Sequence, residues 1–265
     1  MGIKFEKWQG LGNDFIILFD DIATSDLAIK MCDRNFGIGA DGLFCPTKSE
    51  NADIAWKFFN SDGSIAQMCG NGIRCFAKFL RKHNFVSQDR FSVETLAGII
   101  RPEILDNGNV LVDMGEPILE PEKIPVNVDY ALIFQVQGFD AAAVSMGNPH
   151  CVIYCESDAE IQAKAFGAMI ERDPLFPEKT NVEFVNIISS NRIKVNVWER
   201  GCGITKACGT GACAAVVVGV KKRLINNICD VMLPGGTLNI EYHGNGHVYM
   251  QGDAKFVFNG EYENA

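Results

Sequence analysis

No stretch of this chain approaches the roughly 18 consecutive apolar residues of a membrane-spanning helix. Its opening, MGIKFEKWQGLGNDF, lacks the apolar core of a secretion signal. Both absences point to a cytoplasmic protein with no membrane partner. Glu6 stands where a myristoylation signal needs Ser or Thr. Basic residues are sparse: 24 Lys and Arg against 33 Asp and Glu give a net charge of −9. They form no stripe able to follow a phosphate backbone, which argues against nucleic acid as a partner. The four histidines, at 83, 150, 243 and 247, show no ligand spacing, and none of the ten cysteines belongs to a C-x-x-C pair. No structural zinc site is therefore expected.

Cysteine itself is plentiful, and in a reducing compartment these residues read as thiols rather than bridges. Cys32, Cys45, Cys151, Cys155 and Cys229 sit among apolar or mixed neighbours and are expected to pack as small hydrophobes. With 47% apolar residues, 265 positions can fill two modest cores. Short strand-like runs bounded by Asn, Gly, Asp and Pro dominate: 54–59, 90–95, 110–114, 142–146, 182–188, 192–198, 237–242 and 247–253. The Asn-Gly of LDNGNV predicts a type I′ hairpin turn. Helices are predicted only at 25–34, 70–83, 158–173 and 209–223. The class is α+β, with little regular βαβ alternation.

Two segments repeat. FFNSDGSIAQMCGNG and VWERGCGITKACGTG align without a gap, placing Asn60 on Glu199 and Cys69 on Cys208. GND at 12–14 precedes the first cysteine much as GNP at 147–149 precedes the second. Strand, polar residue, turn, cysteine and helix thus recur in order. The chain reads as two similar halves, with a proline-rich join at DMGEPILEPEKIP. The expected domains are 1–114 with 253–265, and 115–252.

A cysteine in the first turn of a helix meets the positive end of the helix dipole and N–H groups that lack intrahelical partners. Both favour a thiolate, so each thiol is expected to titrate below its ordinary range. The glycines that follow leave room for a ligand carboxylate to reach the same N–H groups. If the halves face each other, one sulfur lies on each side of a bound stereocentre. One thiolate then removes a proton while the opposite thiol delivers one, inverting the centre. No phosphate-binding motif or lysine context suits pyridoxal phosphate, so no cofactor is expected.

The motifs GLGNDF, FGIGADGL, FNSDGSIAQMCGNGIRC, MGNPHCV, TNVEFV and ERGCGITKACGTGACA, in this order, resemble the diaminopimelate epimerase family over residues 9 to about 220. The resemblance implies a cofactor-independent amino-acid epimerase that interconverts LL- and meso-2,6-diaminopimelate on the route to lysine and peptidoglycan. It also implies two similar domains, each a mainly antiparallel, barrel-like sheet wrapped round a central helix, with the C-terminal residues returning to the first. A homodimer is the expected assembly. Carried over, Cys69 and Cys208 are base and acid, with Glu199 and His150 binding substrate or assisting the thiols. Gly70, Asn71, Gly209 and Thr210 receive the reacting carboxylate. Asn13, Asn60, Asn148, Asn181 and Arg200 hold the remainder of the substrate, with Arg200 forking onto the distal carboxylate. Two positions depart from the family pattern: Gly42, where many members carry Gln, and Ile204, where many carry Glu. The departures leave open another amino acid as substrate, such as lanthionine, histidine or glutamate. A thiol redox or metal-sensing protein using the same cysteines would need neither Asn60, Asn181, Glu199 nor Arg200.

Overall fold

The computed structural model describes residues 2–66 and 68–263. The chain divides into two compact units, residues 1–112 with 252–265 and residues 113–251.

Unit 1 begins β1 (Ile3–Gly10), β2 (Asn13–Leu18), α1 (Ser25–Cys32), β3 (Gly42–Thr47), β4 (Ile54–Asn60), α2 (Gly70–Lys82), β5 (Val93–Thr95), β6 (Gly98–Ile100). A hairpin of β7 (Glu103–Ile104) and β8 (Val110–Asp113) follows. Unit 2 contributes β9 (Phe134–Val136), β10 (Phe139–Ser145), β11 (Pro149–Tyr154), α3 (Ala159–Glu171), β12 (Asn181–Ser189), β13 (Arg192–Glu199) and β14 (Gly203–Ile204). It continues with α4 (Gly209–Lys221), β15 (Ile228–Leu233), β16 (Gly236–Glu241) and β17 (Tyr249–Gly252), after which β18 (Lys255–Tyr262) pairs antiparallel with β1.

The ladders expose the repeat. From β1 to β6 the pairings run antiparallel, parallel, antiparallel, parallel, antiparallel. The path β10, β11, β12, β13, β15, β16 runs the same way. In both, the parallel steps are those that a helix spans, since parallel neighbours need a crossover. Each path is an open sheet with edge strands rather than a closed barrel.

Alternation along the strands explains the layers. Ile16, Leu18, Leu43 and Cys45 share a core with Leu27, Ala28 and Met31 of α1. The alternate residues include Phe44, whose ring lies 6.1 Å from Phe76 of α2. In unit 2, Cys151, Ile153, Val182 and Phe184 pack with Ala159, Ala163 and Ile170 of α3. The intervening residues face α4, where Tyr154 donates to the Ala215 carbonyl at 2.8 Å. Covered on both faces, β11 and most of β12 are buried runs rather than clean alternations. α4 is apolar nearly all round and correspondingly buried from Gly209 to Gly219 apart from Thr210.

All four predicted helices form, within two residues of their expected ends. The LDNGNV hairpin also forms, with a different turn. Gly108 N–H bonds the Leu105 carbonyl at 2.8 Å and Leu105 N–H bonds the Asn109 carbonyl at 2.9 Å. Only Gly108 takes a positive φ there, at 80°. A type I′ turn would need two such residues; this is a three-residue loop closed by one left-handed glycine.

Candidate active site

Each predicted cysteine caps its helix. Cys69 is extended, with φ −142° and ψ 117°, and its sulfur accepts from Gly72 N–H at 3.4 Å. Cys208 has φ −117° and ψ 112°, and its sulfur accepts from Gly211 N–H at 3.3 Å. A side chain accepting from the third helical N–H is the role usually filled by Ser, Thr, Asp or Asn. Here sulfur takes it twice. The approach of each helix requires glycine: a Cβ on Gly72 would lie 2.5 Å from Phe44 Cζ, and one on Gly211 would lie 2.6 Å from Glu183 Oε1.

The turns leading in are also alike. Asn60 ends β4 and its carbonyl accepts from Gly63 N–H at 3.0 Å; Glu199 ends β13 and its carbonyl accepts from Cys202 N–H at 3.0 Å. The chain then doubles back, bridging Phe59 to Ile65 in one unit and Trp198 to Ile204 in the other. These are the residue pairs that the gapless alignment superposes.

Around Cys69, Asn13 Oδ1 lies 3.6 Å from the sulfur and accepts from Asn71 Nδ2 at 3.3 Å. Asn71 in turn accepts from Arg74 Nη2 at 2.9 Å. Arg74 is fully buried and also donates to the Gly70 carbonyl. On its other side, Asn13 Nδ2 donates to Asp41, which is ion-paired with Arg34. Asn60 bonds Ser64 Oγ at 2.9 Å.

Around Cys208, Thr210 Oγ1 lies 3.4 Å from the sulfur. His150 is fully buried, its Nδ1 donating to Glu183 Oε1 at 2.7 Å and its Nε2 lying 2.9 Å from Asn148 Oδ1. Asn181 donates to the Pro149 carbonyl at 2.8 Å and accepts from Arg200 N–H at 2.9 Å, pinning β11, β12 and the end of β13 together. Glu199 accepts from Thr205 Oγ1. The Arg200 side chain is exposed and reaches the Glu178 carbonyl.

One expectation is overturned. Cys208 does not titrate below the ordinary thiol range. Burial pushes it well above, Glu199 and Glu183 add to the rise, and the hydrogen bonds from Thr210 and Gly211 do not offset them. The helix terminus is present, but desolvation of the anion dominates.

Sequence reasoning missed Lys7, Asp14, Arg34, Asp41, Arg74 and Glu183. Two carried a readable signal: Arg74 in GNGIRCF and Glu183 in TNVEFV are single charges inside apolar runs. The departure at Gly42 has a local cause, because a Cβ there would lie 2.6 Å from Phe58 Cε2 and 2.9 Å from the Phe59 carbonyl. Ile204, the other departure, is an exposed residue of β14.

The family model described as "Diaminopimelate epimerase" matches residues 5–120 and 142–257. A protein of that name from Carboxydothermus hydrogenoformans is 50% identical, with 98% of this chain and 99% of the relative covered. One from Halothermothrix orenii is 47% identical, with 98% of each chain covered. Among solved structures, a probable proline racemase from Agrobacterium radiobacter has a TM-score of 0.71 at 13% identity, covering 99% of this chain and 93% of the other. A phenazine biosynthesis protein of the PhzF family from Bacillus anthracis has a TM-score of 0.70 at 14% identity, covering 99% of each chain. Those two likenesses are of fold alone.

Proposed function

The chain belongs to the diaminopimelate epimerase family, and from that premise we propose that it interconverts LL- and meso-2,6-diaminopimelate without a cofactor, in lysine and peptidoglycan biosynthesis, with Cys69 and Cys208 as the base and acid. The observation that carries this reading is the pair of sulfur N-caps. Each places a proton-transferring atom beside first-turn N–H groups that a helix cannot satisfy internally. Those groups, at Gly70 and Asn71 and at Gly209 and Thr210, are suited to the substrate's α-carboxylate. Preorganised N–H dipoles then stabilise the charge that builds there as the α-proton leaves.

In this reading one cysteine removes the proton and the other returns a proton to the opposite face. Glu199, whose charge favours the protonated form of Cys208, supports the acid in one direction of the reaction. Asn13 orients Cys69, and His150 orients Asn148. Arg200, whose guanidinium is exposed, is available for the distal carboxylate. No helix among the described residues is long and apolar enough to cross a membrane, and the enzyme is placed in the cytoplasm as part of this proposal.

The test is isotopic. In deuterated water the donating thiol exchanges with solvent before each turnover. Product formed from LL-diaminopimelate therefore carries deuterium at the inverted carbon from the first turnovers, while unreacted substrate stays protiated. Product that retains the original proton points to one base serving both faces and removes the two-cysteine assignment. Cys69→Ala and Cys208→Ala are each expected to abolish epimerisation, and substantial turnover by either variant contradicts the roles given.

The substitution at Gly42 favours testing a second reading, an epimerase of the same mechanism with another amino acid as substrate. Faster turnover of lanthionine, histidine or glutamate than of diaminopimelate supports it.

A further inference from the structure

The repeat makes the two units comparable position by position, and the comparison shows where they are not copies. Registers align Asn181 with Gly42, the partners of the strands ending at Glu199 and Asn60. Glu183 then falls on Phe44, and His150 on Phe15. The glycine contacts agree independently: Gly72 abuts Phe44, and its counterpart Gly211 abuts Glu183.

Beneath α2, therefore, lies an aromatic pair, Phe15 and Phe44, with ring centroids 4.9 Å apart. Beneath α4 lies an ionisable pair, His150 and Glu183, both fully buried. Glu183 Oε2 is buried with no hydrogen-bond partner among the described residues. A second exchange lies within the helices. Five residues after each cysteine, α2 carries the buried Arg74 where α4 carries Cys213. Both exchanges have the same sign: a cation is added near Cys69 and a carboxylate near Cys208.

We infer that Glu183 is a positioning residue that makes the two half-sites unequal: its buried carboxylate, which stands where the Phe44 ring stands beneath Cys69, adds to burial and to Glu199 in keeping the proton on Cys208, so that Cys208 rests as the acid and Cys69 is the thiol that ionises. This inference rests on the cysteine roles proposed above. The charged and titratable groups facing Cys208 are Glu183 from β12 and Glu199 from β13, with His150 of β11 bonded to the former. Those described near Cys69 include Arg74 and Cys75 from α2 and, through Asn13, Asp41, whose charge is paired with Arg34. A buried carboxylate is weakly screened, so its effect on a neighbouring thiol outlasts the salt that suppresses surface charge. Glu183 also fixes the His150 ring that meets Asn148, which ties substrate placement to the same carboxylate.

The test needs no turnover, so it stands apart from the substrate assignment. Intact protein is alkylated with iodoacetamide at a series of values between about pH 6 and pH 10, and each cysteine is quantified by peptide mass spectrometry. The midpoint of each profile reports ionisation irrespective of how accessible the sulfur is. In the wild type Cys69 is expected to have the lower midpoint. In Glu183→Gln the Cys208 midpoint falls by about one pH unit, roughly tenfold faster labelling near neutrality, while Cys69 keeps its own. Equal or reversed wild-type midpoints, or a folded Glu183→Gln protein with Cys208 unchanged, overturn the inference. Should Glu183→Gln not fold, the order of the wild-type midpoints decides.

Discussion

At the residue scale, the ten cysteines show how little a residue type says without its surroundings. Burial pushes Cys32 and Cys75 up to about 12 and Cys45 and Cys229 up to about 11, so these remain protonated under ordinary conditions. Cys202 is exposed and Cys69 half-buried. Limited maleimide treatment at about pH 8 is expected to label Cys202 and Cys69 and to leave Cys32, Cys45, Cys75 and Cys229 unlabelled until the protein unfolds. Early labelling of Cys75 would show that α2 is not packed as described. Arg200 gives a second residue-scale expectation. Arg200→Lys keeps the charge and loses the planar fork, so kcat/KM for diaminopimelate should fall severely; an unchanged value removes Arg200 from the distal subsite. The capping cysteines were legible because the same Cys-Gly-x-Gly step occurs twice; a single copy reads equally well as a glycine-rich turn with a buried thiol. The buried charges of Arg74 and Glu183 stood out only as single charges, without their placement. Whether Glu183 in β12 points to solvent or to α4 depends on layers that only the folded sheet supplies.

At the scale of elements, the contact between sheet and helix start is close enough to be tested by one methyl group. Gly72→Ala drives Cβ into the Phe44 ring and should destabilise unit 1 by about 1–3 kcal/mol in urea unfolding. Gly211→Ala meets a carboxylate oxygen instead, so it should also disturb the Cys208 cap. Wild-type stability in both variants would mean the helices sit farther from their sheets. A second expectation concerns the strands that carry Asn13. Lys7 of β1 and Arg34 beyond α1 both pair with Asp14 of β2 at 2.7 Å. Burial alone would raise Asp14, but the bonds from Arg34 and Lys7 outweigh it and hold the carboxyl at about 2. With a folded-state pKa below the unfolded value of roughly 3.9, its contribution is complete above that value and is lost as the pH falls towards 2. The difference is on the order of 2 kcal/mol. Asp14→Asn should therefore be less stable near neutrality and show a flatter loss between about pH 4 and pH 2. A profile as steep as that of the wild type would place the acid-sensitive groups elsewhere. The strands at 54–59, 182–188 and 192–198 were read from the sequence, whereas β1, β2, β3 and β11 were not, because burial on both faces erases the period of two.

At the scale of the whole molecule, duplication was the most legible feature, since it needs only a second copy of a pattern to be seen. The order of ladders bears it out well beyond the aligned cysteine segments. What the sequence concealed was the divergence within the repeat, because Phe44 and Glu183 look unrelated until strand register makes them equivalents. The pairing of β18 with β1 has a further consequence, for synthesis. A ribosome releases all of residues 113–251 before it releases β18, so unit 2 can complete its sheet while unit 1 still waits for a strand. During that interval the outer edge of β1 offers unpaired N–H and carbonyl groups, with Trp8 still lacking its edge-on contact with Phe256. Chains truncated before residue 255 and released from the ribosome should therefore yield a protease-resistant fragment from unit 2 and a cleavable unit 1. The half bearing Cys69 would then be the last to become competent, and on the roles proposed for Cys69 and Cys208 the enzyme would stay inactive until translation had passed β18.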